Sequence, residues 1–222
     1  MARDRRPPWR KPAAWARDRL LDRGVLRYRP ERHAPERFEA GYRSGDFDYY
    51  ARLDELPRYA VLAGYLTFDG GAPDVLDVGC GRGLLRARLP ERAFGSYVGV
   101  DLAREAVDAA RTLEDGRTRF VQGDARTLDL PTLDLVSVDV VVLNEVLYYL
   151  DDAGAFLARV AGWLRPGGRL LTSMWRHPGD GQLWRLVDAR FELADRVDVR
   201  SERNTMSPRG WRVACHVKRE AS

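Results

Sequence analysis

Apolar residues in this chain come in short runs that stop abruptly at polar turns. Such runs occupy 75–78, 97–100, 120–122, 138–143 and 169–175. Continuous apolar runs of this length, bounded by turn residues, mark strands buried on both faces. Segments of mixed character separate them. The first covers 84–89 and is stopped by Pro90, the second runs from 103 to about 113, and a third begins near Asp151 and ends at Leu164-Arg165-Pro166-Gly167-Gly168, a helix stop and turn. A helix over about 181–193 and two strands over about 196–202 and 211–218 follow. Strands alternating with helices predict an α/β class and a parallel sheet. No internal repeat interrupts the pattern.

The sharpest chemistry lies where the first run ends, in Val-Leu-Asp-Val-Gly-Cys-Gly-Arg-Gly over 75–83. Glycine at 79, 81 and 83 lets a ligand press onto the backbone and opens amide N–H groups toward it. A dinucleotide fingerprint needs a third glycine five positions after the first; here Leu84 stands there. Asp77, just before the turn, would repel a pyrophosphate, but could accept hydrogen bonds from an ammonium group or fix the loop. The segment resembles the glycine-rich loop of the class I S-adenosylmethionine-dependent methyltransferases. The resemblance covers roughly 75–175 with ordered motifs and continues more loosely to the end. It implies a Rossmann-like, mostly parallel seven-stranded sheet with helices on both faces and an antiparallel last strand. The implied cofactor is S-adenosylmethionine and the implied product S-adenosylhomocysteine.

That resemblance assigns residues one by one. Asp77, Gly79, Cys80 and Gly81 form the cofactor loop. Asp101 ends the second strand, where an acid can take both ribose hydroxyls, and Leu102 beside it is a further contact. Asp124 follows the third strand and would accept from the adenine amino group, with Ala125 next to it. Asn144 leaves the fourth strand under the transferable methyl. Tyr148 and Tyr149 either wall the acceptor pocket or pack against the helix that begins near Asp151, and Trp175 ends strand five at the same edge. Glycine-adjacent aromatics before the first strand, including Tyr42 and Tyr49, lead into a helix expected over about 48–66 in which Pro57 begins the second half. Tyr42 is a candidate cofactor contact and Tyr49 a candidate acceptor contact; the alternative is an aromatic cluster that anchors the helix.

Charge divides the chain. Residues 1–37 hold 12 Lys/Arg against five Asp/Glu, a net of +7, whereas the whole chain carries +4, leaving −3 for the remainder. The expected organisation is a basic N-terminal arm over 1–37, a helical lid over 38–70 and a cofactor-binding core over 71–222. The arm contains Trp9, Trp15 and a short helix expected over about 12–22. It could grip RNA phosphates, but arginine pervades the chain and the core is acidic, so nucleic acid is not the favoured partner. Packing over the active site or against a second subunit, as in a homodimer, suits it better. Two cysteines, Cys80 and Cys215, give neither a disulfide framework nor metal spacing, so a reducing cytoplasm and no metal are expected. No membrane span is read, because Asp139, Asn144 and Glu145 interrupt the most apolar stretch.

Methyl transfer from a sulfonium is an in-line displacement, and a hydroxyl acceptor needs a base as well. His177 lies in the loop after strand five and could be that base, or could be an ordinary loop histidine; Glu145 is the second candidate. The resulting expectation is an O-methyltransferase of a small, natural-product-type acceptor, glycosylated or nucleoside-like, of the kind met in antibiotic biosynthesis. N-methylation of a similar molecule is the alternative, with RNA methylation through the basic arm behind it.

Overall fold

The computed structural model describes residues 35–177, 179–204 and 210–219. The arm up to residue 34, with the helix expected over 12–22, lies outside them. Seven strands form one sheet in the order β3-β2-β1-β4-β5-β7-β6. They are β1 (Asp74–Val78), β2 (Ser96–Asp101), β3 (Thr118–Gln122), β4 (Val138–Asn144), β5 (Leu164–Trp175), β6 (Phe191–Val199) and β7 (Trp211–Lys218). Strands β1 to β5 pair in parallel, and β7 runs against both of its neighbours. The sheet grows outward from β1 in both directions, so the switch in strand order falls between β1 and β4. Ligands bind at such a point, beyond the carboxyl ends of the strands.

Period-two alternation sends the strand side chains into two cores. Val75, Tyr97, Val140 and Val142 face one way, where α2 (Leu56–Thr67) and α3 (Arg104–Ala110) cover them with Tyr59, Leu62, Leu66 and Val107. Leu76, Val78, Val100, Val141 and Leu143 face the other way, onto α4 (Ala153–Trp163) and α5 (Asp180–Arg190). Leu62, Leu66 and Leu157 are fully buried, each worth roughly 1.5–3 kcal/mol of transfer free energy.

Several boundaries differ from the sequence expectation for local reasons. The helix expected over 84–89 is a series of turns with a single 3-10 turn at Arg86–Arg88. Gly81 and Gly83 hold left-handed backbone angles, and Pro90 closes the segment before a second helical turn can form. The helix expected over 48–66 is broken as well. Two 3-10 turns, Asp48–Ala51 and Leu53–Glu55, flank the extended Arg52, and Pro57 then sits in the first turn of α2. Strand β5 begins at Leu164, five residues early, because Leu164 pairs with Val138 across an irregularity that absorbs the Pro-Gly-Gly turn. The last helix ends at Arg190 rather than near 193, since β7 claims Phe191 and Leu193 for β6. Helix α1 (Pro35–Ser44) precedes the turns, and it spans the boundary expected between arm and lid at 37/38.

Candidate functional site

The carboxyl edges of β1, β2 and β4 and the segment from α1 to α2 enclose a cavity with about 880 Å³ of free space, its open mouth included. That is within the range of small-molecule sites. Its floor is the loop after β1. The amides of Gly79 and Cys80 both donate to the Val100 carbonyl, at 2.7 and 3.1 Å, which pins the loop against β2. Gly79 has φ +76°, and a Cβ there would lie 2.4 Å from Val146 Cγ2; Gly81 has φ +54°, and its Cβ would lie 2.8 Å from the Tyr42 hydroxyl. A side chain at either place would be strained and would press on its neighbour.

Asp101 closes the wall at the end of β2. Its Oδ2 accepts from the Gly81 amide at 2.8 Å and its Oδ1 from the Ala103 amide at 2.9 Å. Burial raises its pKa and these amides oppose the rise. Each carboxylate oxygen keeps acceptor capacity for a ligand hydroxyl. Leu102, Gly123, Ala125 and Asn144 share the wall, and Cys80 contributes a buried thiol whose pKa burial pushes up. The Asn144 Oδ1 lies 3.0 Å from the Ser173 hydroxyl, whose single proton it shares with Glu145 Oε1.

The roof is aromatic. Tyr42 leans on Phe47 with ring centres 4.7 Å apart, Phe47 stacks on Tyr50 at 5.9 Å, and Phe38 meets Tyr149 edge-on at 5.0 Å. Polar straps hold this roof down. Arg82, in the glycine loop, spans Asp48 at 2.5 Å and the Tyr42 carbonyl at 2.8 Å, while Glu39 accepts from the Arg104 amide at the start of α3 at 2.8 Å.

At the far side sits Glu145, 8% exposed, on a left-handed backbone with φ +66°. A non-glycine residue pays roughly 1–2 kcal/mol for that conformation. Its Oε1 accepts from the Ser173 hydroxyl at 2.8 Å; its Oε2 accepts from the Tyr148 hydroxyl at 2.8 Å and the Trp175 amide at 3.2 Å. Arg58 enters the wall from the first turn of α2 and pairs with Glu55.

The residues expected from sequence divide accordingly. Gly79, Cys80, Gly81, Asp101, Leu102, Ala125, Asn144, Tyr42, Glu145 and Tyr149 line the cavity; Asp77, Asp124, Tyr49, Tyr148, Trp175 and His177 do not. Asp77 points beneath the floor to the Tyr97 hydroxyl at 2.5 Å. Asp124 is engaged by the Arg126 guanidinium and amide. Tyr49 packs on Tyr50 with centres 4.3 Å apart. His177 is buried between Tyr148, edge-on at 5.5 Å, and Trp175 at 5.7 Å. Arg58, Phe38 and Tyr50 are wall residues that sequence reasoning did not single out. An arginine at the start of a helix reads as a surface residue unless its burial is known.

Comparison with known proteins now has a site to refer to. Residues 76–172 match the methyltransferase domain family. An uncharacterized methyltransferase of Mycobacterium tuberculosis (strain ATCC 25618 / H37Rv) is 34% identical over 145 residues, which are 64% of this chain and 70% of that protein. A ubiquinone biosynthesis O-methyltransferase of Idiomarina loihiensis is 39% identical over 104 residues, 45% of this chain and 41% of that one. Among solved structures, the 1,6-didemethyltoxoflavin-N1-methyltransferase of Burkholderia thailandensis, with 1,6-didemethyltoxoflavin and S-adenosylhomocysteine bound, superposes with a TM-score of 0.65 at 23% identity, covering 97% of this chain and 93% of that one. At that identity the likeness carries the fold. Among the described residues no helix is long and apolar enough to cross a membrane.

Proposed function

This chain belongs to the class I S-adenosylmethionine-dependent methyltransferases, and on that premise we propose that it methylates a hydroxyl oxygen of a small molecule held under the aromatic roof, with Glu145 as the base. The residues present fit the family's cofactor. Gly79 and Gly81 form a cradle that a Cβ would fill, and Asp101 faces the cavity with acceptor capacity to spare. When bound, S-adenosylmethionine supplies an electrophilic methyl group on a sulfonium.

The chain's own residues supply the rest. Gly79 to Gly81, Asp101, Leu102 and Ala125 are proposed to hold the nucleoside, with Asn144 and Tyr42 beside its reactive end. Phe38, Phe47, Tyr50 and Tyr149 exclude water and give an acceptor ring flat surfaces to lie against. Alignment of this kind can supply roughly 7–11 kcal/mol of barrier reduction. The observation that supports Glu145 as the base is its backbone. Both wall carboxylates have each oxygen engaged by a donor, but Glu145 is held at the far side on a left-handed backbone where glycine would be easier; strain retained at such a point is a mark of function. Ser173, Tyr148 and the Trp175 amide orient it, and it takes the proton from the acceptor hydroxyl as the oxygen attacks. The setting that goes with this reading is a reducing cytoplasm, in keeping with two buried free thiols.

Labelled S-adenosylmethionine incubated with small-metabolite extracts identifies the acceptor, and NMR of the product identifies the methylated atom. With that acceptor, Glu145→Gln should keep S-adenosylhomocysteine affinity while turnover falls by roughly 10²–10⁴. His177→Ala, outside the cavity, should leave turnover little changed. Full turnover in Glu145→Gln removes the base, and a methyl group found on nitrogen replaces the hydroxyl reading with an amine one.

A further inference from the structure

Three oxygens follow one another at the far side of the cavity. Ser173 Oγ lies 3.0 Å from Asn144 Oδ1 and 2.8 Å from Glu145 Oε1. Strand pairing sets this row, since Asn144 stands opposite Ser173 in the β4–β5 register and the Glu145 amide donates to the Ser173 carbonyl at 3.0 Å. Ser173 is fully buried. With Glu145 ionised, the row has two gaps and one proton, because only the hydroxyl carries an O–H. Two acceptors facing each other across an empty gap repel. Two arrangements remove the conflict. When Glu145 is neutral, its proton goes to Ser173 and the Ser173 proton to Asn144 Oδ1. When Glu145 is ionised, Ser173 donates to it and the Asn144 amide turns over, so that Nδ2 donates to Ser173 and Oδ1 faces the cavity. Asn144 lines that cavity, and Ser173 is the sole hydrogen-bond partner of its side chain among the described residues. A proton gained by Glu145 stays on Oε1, since Oε2 already accepts from the Tyr148 hydroxyl and the Trp175 amide.

We infer that Ser173 is a positioning residue that couples the charge of Glu145 to the end of the Asn144 amide facing the ligands: an oxygen acceptor while Glu145 is ionised, an N–H donor once it holds a proton. The inference deepens the proposed function and rests on its reading of Glu145 as the base. In that reaction the acceptor oxygen bonds to the methyl carbon while the carbon–sulfur bond breaks, its electron pair going to sulfur. The hydroxyl proton passes to Glu145 and leaves to water after the product has gone. The amide therefore turns once each way per turnover. Before the transfer a substrate hydroxyl meets acceptors; afterwards an N–H faces an ether oxygen, which can only accept. Other groups near Glu145 bear on its charge. Tyr49, Tyr50 and Tyr148 keep their protons, since burial raises the pKa of each, and Arg58 stays paired with Glu55. Glu55, whose pKa burial raises, and His177, beside Tyr148, are the neighbours that can change charge.

NMR of the full chain, isotope-labelled in asparagine side-chain amides and glutamate carboxyls, makes the test across a pH series. Asn144→Asp identifies the Asn144 signals by their loss, and Glu145→Gln identifies the Glu145 carboxyl in the same way. As Glu145 ionises, one Nδ2 proton of Asn144 should move downfield into a hydrogen bond, with the same midpoint. In Glu145→Gln the side-chain N–H takes the place of Oε1, because two donors claim the other position, so Asn144 should keep its neutral-form pattern at every pH. Ser173→Ala should abolish the movement while Glu145 still titrates, and Ser173→Thr, which keeps the hydroxyl, should retain it. A movement that survives Glu145→Gln comes from Glu55 or His177 and overturns the coupling. So does one that survives Ser173→Ala, a wild-type Asn144 pattern that stays fixed while Glu145 titrates, or a Glu145 that never titrates. The wild-type series needs no variant, so poor folding of Ser173→Ala does not protect the inference. No methyl transfer enters these signals; full turnover in Glu145→Gln would remove the base and leave the coupling to be judged separately.

Discussion

Asp77→Asn alters one buried carboxyl directly beneath the glycine floor. Asp77 is 1% exposed; its Oδ2 accepts from the Tyr97 hydroxyl, and its Oδ1 has no partner among the described residues. Burial raises its pKa from 3.8 to about 7, against the Tyr97 hydrogen bond and with help from the Asp101 charge. The folded protein therefore keeps a proton that the unfolded chain gives up nearer pH 4. In that window the native state binds more protons than the unfolded one, so stability falls as pH rises from about 4 to about 7 and levels off above. The displacement is worth roughly 4 kcal/mol in total, of which roughly 2–3 kcal/mol falls between pH 5 and pH 8. Asparagine cannot titrate, so the difference between wild type and variant isolates this group from the other carboxylates. Urea unfolding of both proteins at about pH 5, 6, 7 and 8 measures it. Relative to the variant, the wild type should lose roughly 2–3 kcal/mol across the series. Parallel pH profiles would refute the reasoning, because they would mean that Asp77 titrates alike in the folded and unfolded chain. The same variant tests where the residue acts. Since Asp77 stays out of the cavity wall, S-adenosylhomocysteine affinity at pH 8 should change little, and a large loss would return Asp77 to the cofactor contacts.

Asp101→Ala should weaken S-adenosylhomocysteine binding by roughly 10- to 100-fold in calorimetry, and it should lower the melting temperature too, since the Gly81 and Ala103 amides lose their acceptor; unchanged affinity would remove Asp101 from the cofactor wall. Gly81→Ala forces a Cβ onto a left-handed backbone at roughly 1–2 kcal/mol and drives it against the Tyr42 hydroxyl. Chemical denaturation of Gly81→Ala and of the Gly81→Ala/Tyr42→Phe pair should show partial recovery in the double variant, and purely additive losses would mean that the two groups do not meet.

The runs at 75–78, 97–100 and 138–143 were legible because a strand covered on both faces must be apolar throughout, and that requirement is written in consecutive residues. The glycine loop was legible for a similar reason. Positive φ and close backbone approach admit almost no other side chain, so Gly79 and Gly81 declare themselves without a structure; of the strand-end acids only Asp101 reaches the cavity, while Asp77 and Asp124 turn to Tyr97 and Arg126. Where two elements compete for the same residues, sequence was a poorer guide. Phe191 and Leu193 suit a helix by local pattern, but pairing with β7 takes them for a strand.

The acceptor side of the cavity is decided by contacts between distant segments. Glu145, Ser173 and Tyr148 come together only when β4 and β5 lie side by side, and Arg58 is buried among Tyr50, Tyr59 and Trp211, the last from β7. His177 reads as a candidate base from its place after β5, yet Tyr148 and Trp175 stand beside it, away from the cavity. The glycine loop rests on main-chain shape, a local property that sequence determines by itself. The far wall of the cavity rests on the mutual burial of side chains from separate elements, and burial exists only once the chain has folded.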